Sequence, residues 1–450
     1  MKKLLLLAVT TLPAAAQVPL QAAAESATVQ TRLEGSSLVL EVQDPGNHAW
    51  RLQTSDHLGD WTNGDTYRVF NGFLSVPLPI DGPRRFFRLN SDEAGVVSSS
   101  AASALLLPAT TFNYANPTLP PHLLTPLILA QDNTPANNVT TNAGATLGRA
   151  LFYDKRLSAN QTISCSSCHQ PEHGFSDPRR FSVGFAGGLT GRNSMGLTNA
   201  KYYLREHFFW DERAATLEDQ VLQPIQNSVE MGMTLDLLVA RLSAEPFYAE
   251  LFTNAFGTPT VNSDRISKAL AQFVRSIVSG QSKYDQGVAS NFTNFTNQEN
   301  QGRAIFNGTG NCNACHGSDN FVPGNLIFNN GLENPYIDKG VGAISLRTQD
   351  EGLFKVPSLR NIELTAPYMH DGRFATLEQV VDFYNNGVVN HPNLSAPLRN
   401  PPGGPGGGQP RRLNLTDAQK AALVAFLKTL TDTSVTTDEK FQDPFRYEAE

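Results

Sequence analysis

Cysteine is scarce in this chain, with four residues in 450. That leaves no framework of disulfides to staple a small secreted fold. Methionine is also rare, with five residues and none after Met369, so no thioether ligand is available beyond that position. Charged residues make up only 17% of the chain, and Lys plus Arg (35) nearly balance Asp plus Glu (42), for a net charge of −7. No arginine-rich run or basic stripe marks a nucleic-acid binder, and the mild acidity favours a basic protein partner. No apolar stretch approaches the roughly 18 residues that a membrane span needs. What is present is an ordinary globular composition, 40% hydrophobic, long enough for two or three domains.

All four cysteines fall in two CxxCH motifs, Cys165-Ser166-Ser167-Cys168-His169 and Cys312-Asn313-Ala314-Cys315-His316. CxxCH is the attachment signature of c-type haem: the two thiols add across the haem vinyl groups and the adjacent histidine ligates iron. A single zinc site built from the same cysteines is the competing reading, but it gives no reason for a histidine directly after each pair. Two covalent haem c groups are therefore expected, with His169 and His316 as proximal ligands.

The N-terminus has the form of an export signal over residues 1–24. Met1-Lys2-Lys3 is followed by the apolar run Leu4 to Val9 and by Ala-x-Ala sites at Ala14–Ala16 or Ala22–Ala24. A periplasmic or otherwise exported protein is expected. Residues 27–91 read as a small β module, with alternating runs at Leu38–Val42, Trp50–Gln53, Tyr67–Phe70, Phe73–Val76 and Phe86–Leu89. Turns are expected at Asp44–Asn47 and Asn63–Asp65. Trp50–Trp61 and the closing Phe86-Phe87-Arg88-Leu89 resemble an accessory module of exported bacterial proteins. Residues 92–125 read as a Ser/Ala/Pro-rich linker, 126–296 and 297–432 as two haem domains, and 433–450 as a tail.

Helical spacing appears at Leu147, Leu151 and Phe152, and over Leu217–Leu222, Thr234–Leu242 and Ile266–Val278. In the second unit, Ala304-Ile305-Phe306 leads into the second CxxCH. Thr416–Leu430 closes it, with a capping box at Thr416 and Gln419 and an apolar stripe of Leu423, Phe426, Leu427 and Leu430. Pro401–Gln409 is an exposed Gly/Pro loop. The fold class expected is mainly α: two tandem cytochrome c-type domains, distantly repeated, behind a small all-β N-terminal module.

From Leu147 to about Leu430 the chain resembles the bacterial di-haem cytochrome c peroxidase family, in its MauG-like branch. The matching stretches are the first CxxCH with Gln170-Pro171, Gly191-Arg192-Asn193, Phe209-Trp210-Asp211, Glu230-Met231 and Ala366–Gly372. The resemblance implies a peroxide-binding first haem, with Glu230 as distal acid–base and Gln220 and Pro224 lining its pocket. It implies Trp210 as a bridge for electrons between the haems, and one calcium held by Asn193, Thr365 and Pro367. His370 belongs near the haems without a ligand role.

The chain departs from the family pattern in three places. Glu212 stands where the family has glycine. Phe185 stands where many members carry a histidine that blocks the first haem, so that haem is expected to be open at rest unless His173 or His207 swings in. Tyr384 stands where peroxidases of the family supply methionine to the second haem. A phenolate there favours oxidised iron, and the alternatives are His316 alone or Met369. The leading expectation is a peroxidase that reduces hydrogen peroxide with electrons from a small c-type cytochrome, a cupredoxin or another redox protein. The others are a MauG-like oxidase that modifies a partner protein's side chain, and a non-catalytic electron-transfer cytochrome.

Overall fold

In this computed structural model the description covers residues 104–446, apart from Ala109 and Pro405, and the backbone of eight strands between Leu4 and Ser91. Two compact units emerge, residues 1–107 with 446–450, and residues 108–445. In the first, the strands are β1 Leu4–Thr10, β2 Leu20–Gln21, β3 Thr28–Glu34, β4 Ser37–Gln43, β5 Ala49–Ser55, β6 Thr62–Arg68, β7 Phe73–Pro79 and β8 Arg84–Ser91. They pair antiparallel in two four-stranded sheets, ordered β1-β8-β5-β6 and β2-β3-β4-β7. The run read as the apolar part of an export signal is thus drawn as β1 against β8; a short apolar stretch satisfies either pattern. Asn63–Asp65, expected as a turn, lies inside β6. The β5–β6 register shifts there, between Arg51 and Gln53, so the turn-type residues serve a bulge. Asp44–Asn47 lies outside the described residues.

The second unit is helical. Its principal helices are α1 Asn142–Tyr153, α2 Leu217–Gln226, α3 Leu235–Ser243, α4 Pro246–Phe256, α5 Ser263–Ser276, α6 Asn297–Asn307, α7 Leu377–Asp382 and α8 Asp417–Lys428. The expected capping box of Thr416 and Gln419 closes the start of α8, and Thr216 and Thr234 likewise each accept a backbone N–H from the first turn of α2 and α3. Helix α4 adds a face that the sequence reading leaves out: Phe247, Tyr248, Leu251 and Phe252 recur at helical spacing and are all buried.

The repeat is built from one device used twice. In each half, the helix before CxxCH crosses the last helix at a glycine. A Cβ on Gly148 would strike the Ala269 carbonyl and lie 2.8 Å from Phe273 Cβ; one on Gly302 would strike the Ala422 carbonyl and lie 2.8 Å from Phe426 Cβ. The aromatic pairs beside the crossings match, with Phe152–Phe273 centroids at 5.2 Å and Phe306–Phe426 at 5.1 Å. A buried phenylalanine at such a crossing contributes about 1.5–3 kcal/mol. The stripe Leu423, Phe426, Leu427 and Leu430 is buried in this core as expected.

A second self-similar pair was not apparent from the motifs alone. Phe208–Glu218 and Tyr368–Glu378 share Asp, Arg, Ala-Thr-Leu and Glu at matching positions. Each makes the same turn into a helix, with isolated bridges Phe208–Ala214 and Tyr368–Phe374, and Asp–Arg pairs Asp211–Arg213 and Asp371–Arg373. In this alignment Trp210 corresponds to His370 and Glu212 to Gly372.

Two boundaries need correction. Residues 108–125 do not behave as a free linker: Leu123 is fully buried with Ile128 and Tyr202, His122 Nε2 sits 2.8 Å from Asp285 Oδ1, and the Tyr114 and Ala115 amides both donate to Asn142 Oδ1. Residues 433–445 do not behave as a tail. Phe441 is buried against Phe175 and Phe273, Tyr153 Oη donates to the Phe441 carbonyl, and Arg149 Nε donates to the Gln442 carbonyl at 2.7 Å. The two segments meet beside α1, where the Tyr114 ring packs near Phe273 and Phe441. Gly302→Ala should force α6 and α8 apart and lower stability by about 1–3 kcal/mol. Denaturant unfolding of the variant measures this, and an unchanged midpoint would show that the helices do not approach at this glycine.

Candidate active site

Both CxxCH motifs fold alike. Cys165–Ser167 and Cys312–Ala314 are single 3-10 turns, and the His169 and His316 amides each donate 2.9 Å bonds back to the first cysteine carbonyl. Each imidazole is oriented through its Nδ1–H, which donates to the Phe175 carbonyl at 2.9 Å or the Phe321 carbonyl at 3.1 Å. The accepting residues hold φ of +61° and +54°. With Nδ1 engaged, Nε2 is left as the unprotonated nitrogen for a metal. Burial lowers the pKa of both rings, His316 to about 4, which keeps them neutral. No disulfide joins any of the four cysteines, and burial pushes the Cys165, Cys312 and Cys315 thiols up to about 12. Among the described residues no three His, Cys, Asp or Glu side chains converge as a metal cluster, which disposes of one zinc site shared by the four cysteines.

Each histidine opens on its own cleft. The first is walled by Cys168, His169, Trp210, Gln220, Pro224 and Glu230. Gln220 and Pro224 stand one turn apart on α2, so they share a face. The loop after α2 fixes Glu230 from several directions. Asn227 Oδ1 accepts the Val229 and Glu230 amides, the Pro224 carbonyl accepts the Met231 amide, and the Glu230 carbonyl accepts the Phe185 amide at 2.8 Å. Phe185 packs against Gly232, whose φ of +63° and lack of a side chain make room for the ring. Burial raises the Glu230 pKa against the opposing pull of Arg213. Neither alternative histidine lines this cleft: His207 is exposed, with Nδ1 bonded to the Arg205 carbonyl, and His173 lies in the turn after the first motif.

The second cleft is more apolar and is walled by Cys312, Cys315, His316, Met369, His370 and Tyr384. Tyr384 lies in a single π-helical turn, Phe383–Gly387, that continues α7, a device frequent at functional sites. Asn330 Nδ2 reaches both Tyr384 Oη at 3.4 Å and Met369 Sδ at 3.5 Å, so both candidate ligands face the same space. Burial raises the Tyr384 phenol well above its usual range. Asn193, Thr365 and Pro367 also line this cleft. Asn193 Nδ2 is taken up by the Arg179 and Arg180 carbonyls, so its amide oxygen is the end available to a cation. His370 stacks on Phe354 at 4.0 Å and accepts the Asn193 amide with its carbonyl.

Trp210 lines both clefts. Its Nε1–H donates to the Asn193 carbonyl at 2.9 Å, and its own carbonyl accepts the Lys355 amide at 2.8 Å. Beside it, Arg192 joins Asp211 (2.6 Å) to Asp338 (2.7 Å). Asn330 carries no motif that sequence reading could have found; Arg192 and Asp211 lie in family-matching stretches, but their pairing with Asp338 becomes visible only in the fold. Two clefts, each lined by a pre-oriented neutral imidazole and by at least one thiol of its own CxxCH turn, fit a haem c group at Cys165/Cys168/His169 and another at Cys312/Cys315/His316.

A mainly helical chain with two such sites defines a di-haem c-type protein. Residues 142–292 match the family model of the di-haem cytochrome c peroxidases. The methylamine utilization protein MauG of Methylorubrum extorquens is 35% identical over 298 residues, 66% of this chain and 80% of that protein. The cytochrome c551 peroxidase of Nitrosomonas europaea is 35% identical over 291 residues, 64% of this chain and 79% of that protein. The crystal structure of a MauG-like protein associated with microbial copper homeostasis superposes with a TM-score of 0.62 at 34% identity, covering 74% of this chain and all of the other. The chain belongs to the MauG-like di-haem cytochrome c peroxidase family and is a peroxidase-type oxidoreductase. No helix among the described residues is long and apolar enough to cross a membrane.

The carboxylate is the form of Glu230 that accepts a proton. Since burial raises its pKa, kcat/KM for peroxide should fall as pH drops through a value above glutamate's ordinary 4.5. Glu230→Gln should lower the rate by about 10²–10⁴-fold and abolish that acid limb. A limb that persists in the variant assigns the titration elsewhere.

Proposed function

We propose that the protein reduces hydrogen peroxide in its first cleft, with electrons drawn through Trp210 and the second cleft from an external redox protein such as a small c-type cytochrome or a cupredoxin. The observation that carries this reading is one indole on the wall of both clefts, with a half-buried carboxyl facing the first. When bound, haem iron supplies a coordination position for peroxide and electrons for breaking its O–O bond. Glu230 takes the proton from the bound peroxide and returns it to the departing oxygen, which leaves as water. Gln220 and Pro224 shape the same wall. Phe185 has no lone pair to offer a metal, and its amide holds the Glu230 carbonyl, so this cleft is ready without a preceding reduction. Asn193 fixes the Trp210 ring between the clefts through the Nε1–H bond.

On the far side, Tyr384 would offer its phenolate oxygen to the haem held by His316, and such a donor would favour oxidised iron. That choice also supports a second reading: as in a MauG-like oxidase, the oxidising equivalents pass to a side chain of a partner protein. One calcium is held by Asn193, Thr365 and Pro367, whose oxygens suit a hard cation. Residues 1–24 direct export to the periplasm, where covalent haem attachment takes place, and residues 27–91 form an all-β spacer or docking module.

The ferric protein should give one high-spin and one low-spin electron paramagnetic resonance signal, and peroxide should abolish both quickly. Two low-spin signals indifferent to peroxide would identify a carrier of electrons instead. In Trp210→Phe the high-spin signal should still vanish, while loss of the low-spin signal should slow. Phe185→His should convert the high-spin signal to low-spin and make peroxide turnover depend on prior reduction; an unaltered spectrum would show that this loop cannot reach the first site.

A further inference from the structure

Glu212 breaks the internal repeat. Its counterpart in the second half is Gly372, at φ +62°, and Glu212 holds φ +55°, in the left-handed region that favours glycine. A side chain kept there against that preference points to a use for it. The carboxylate is buried and takes three donors. Tyr203 Oη donates to Oε1 at 2.5 Å, Arg205 Nε donates to Oε1 at 2.8 Å, and Arg205 Nη2 donates to Oε2 at 2.6 Å. Tyr203 is itself buried, 2% exposed, and lines the first cleft together with Trp210. Lys355 ties the two together: its amide donates to the Trp210 carbonyl, and its Nζ lies 2.8 Å from the centroid of the Tyr203 ring.

A phenol is hard to oxidise when its proton has no acceptor, because the radical cation that results is strongly acidic. A carboxylate already hydrogen-bonded to the hydroxyl removes that obstacle. We propose that Tyr203 and Glu212 form a proton-coupled redox site beside the first cleft, a holding station for oxidising equivalents generated by peroxide. Tyr203 loses one electron to the oxidised first site as its Oη proton shifts along the hydrogen bond to Glu212 Oε1. The products are a neutral tyrosyl radical and a carboxylic acid still bonded to Arg205. One electron from the external donor restores the phenolate oxygen's pair and draws the proton back. Burial and the adjacent carboxylate hold the Tyr203 phenol well above its usual range, so in the resting protein the proton stays on Tyr203. Burial also holds the Lys355 amine well below its usual range, which lessens the positive charge opposing radical formation above the ring.

The peroxide step rests on the function proposed above, so the test has two arms. In the first, holoprotein labelled with ring-deuterated tyrosine is mixed with peroxide and freeze-quenched for electron paramagnetic resonance. In the second, photogenerated tris-bipyridyl ruthenium(III) oxidises the holoprotein without peroxide. A radical whose hyperfine splitting collapses on deuteration, that is lost in Tyr203→Phe and is about tenfold weaker in Glu212→Gly, supports the site in either arm. Glu212→Gly restores the residue that suits the backbone, so unchanged haem absorbance reports that the variant is folded. Such a radical in the ruthenium arm alone, without peroxide consumption, leaves the redox pair standing and removes the peroxide reading. No tyrosine-derived radical in either arm, or one that survives Tyr203→Phe or is undiminished in Glu212→Gly, overturns the inference and leaves Glu212 as an anchor for Arg205.

Discussion

A single hydrogen bond, from the Trp210 indole to the Asn193 carbonyl, holds one side chain against two clefts at once. Around it, Asn193 is fixed by its amide to the His370 carbonyl and by its side chain to Arg179 and Arg180, so residues from both halves of the repeat meet at this point. The Trp210 turn is pinned on its other side by Arg192, which pairs with Asp211 in the first half and Asp338 in the second. Partly buried ion pairs of this kind contribute little net stability, but they specify geometry. The relay proposed for Trp210 would need that geometry more than it would need stability.

The two halves share a scaffold and differ where chemistry differs. The glycine crossings, the phenylalanines beside them and the histidine-orienting carbonyls are the same in both. Part of the divergence falls in one turn: Trp210 against His370, Phe209 against Met369, and Glu212 against Gly372, with left-handed backbone at the last two pairs in both copies. The first copy therefore presents an indole and a carboxylate beside its cleft, and the second presents a thioether and an imidazole. A duplicated scaffold has in this way been given two unlike sites by changes that leave its packing intact.

The chemistry was legible in the sequence to the extent that it lies in contiguous motifs. CxxCH fixes the thiols and the proximal histidine within one turn, and the threonine caps mark helix starts locally. Family resemblance grouped Glu230, Gln220, Pro224 and Trp210, and the first cleft does bring all four together. What stayed hidden depends on contacts between distant segments. Phe441 is read as tail until Phe175 and Phe273 are seen beside it. Glu212 has no evident purpose until Tyr203 and Arg205 close on it. Asn330 carries no motif, yet it touches both candidate donors to the second site. Two signals mark Glu212 in the sequence: it stands where the family has glycine, and the self-similarity of Phe208–Glu218 and Tyr368–Glu378 sets it against Gly372.

The account stands on unlike axial ligation at the two haems. Near-infrared magnetic circular dichroism of the resting ferric holoprotein reads the axial pair of each centre directly. The bands predicted are those of one high-spin haem held by His169 without a second protein ligand, and one low-spin haem held by His316 and a phenolate. Bands of bis-histidine or histidine–methionine ligation at both centres would contradict it.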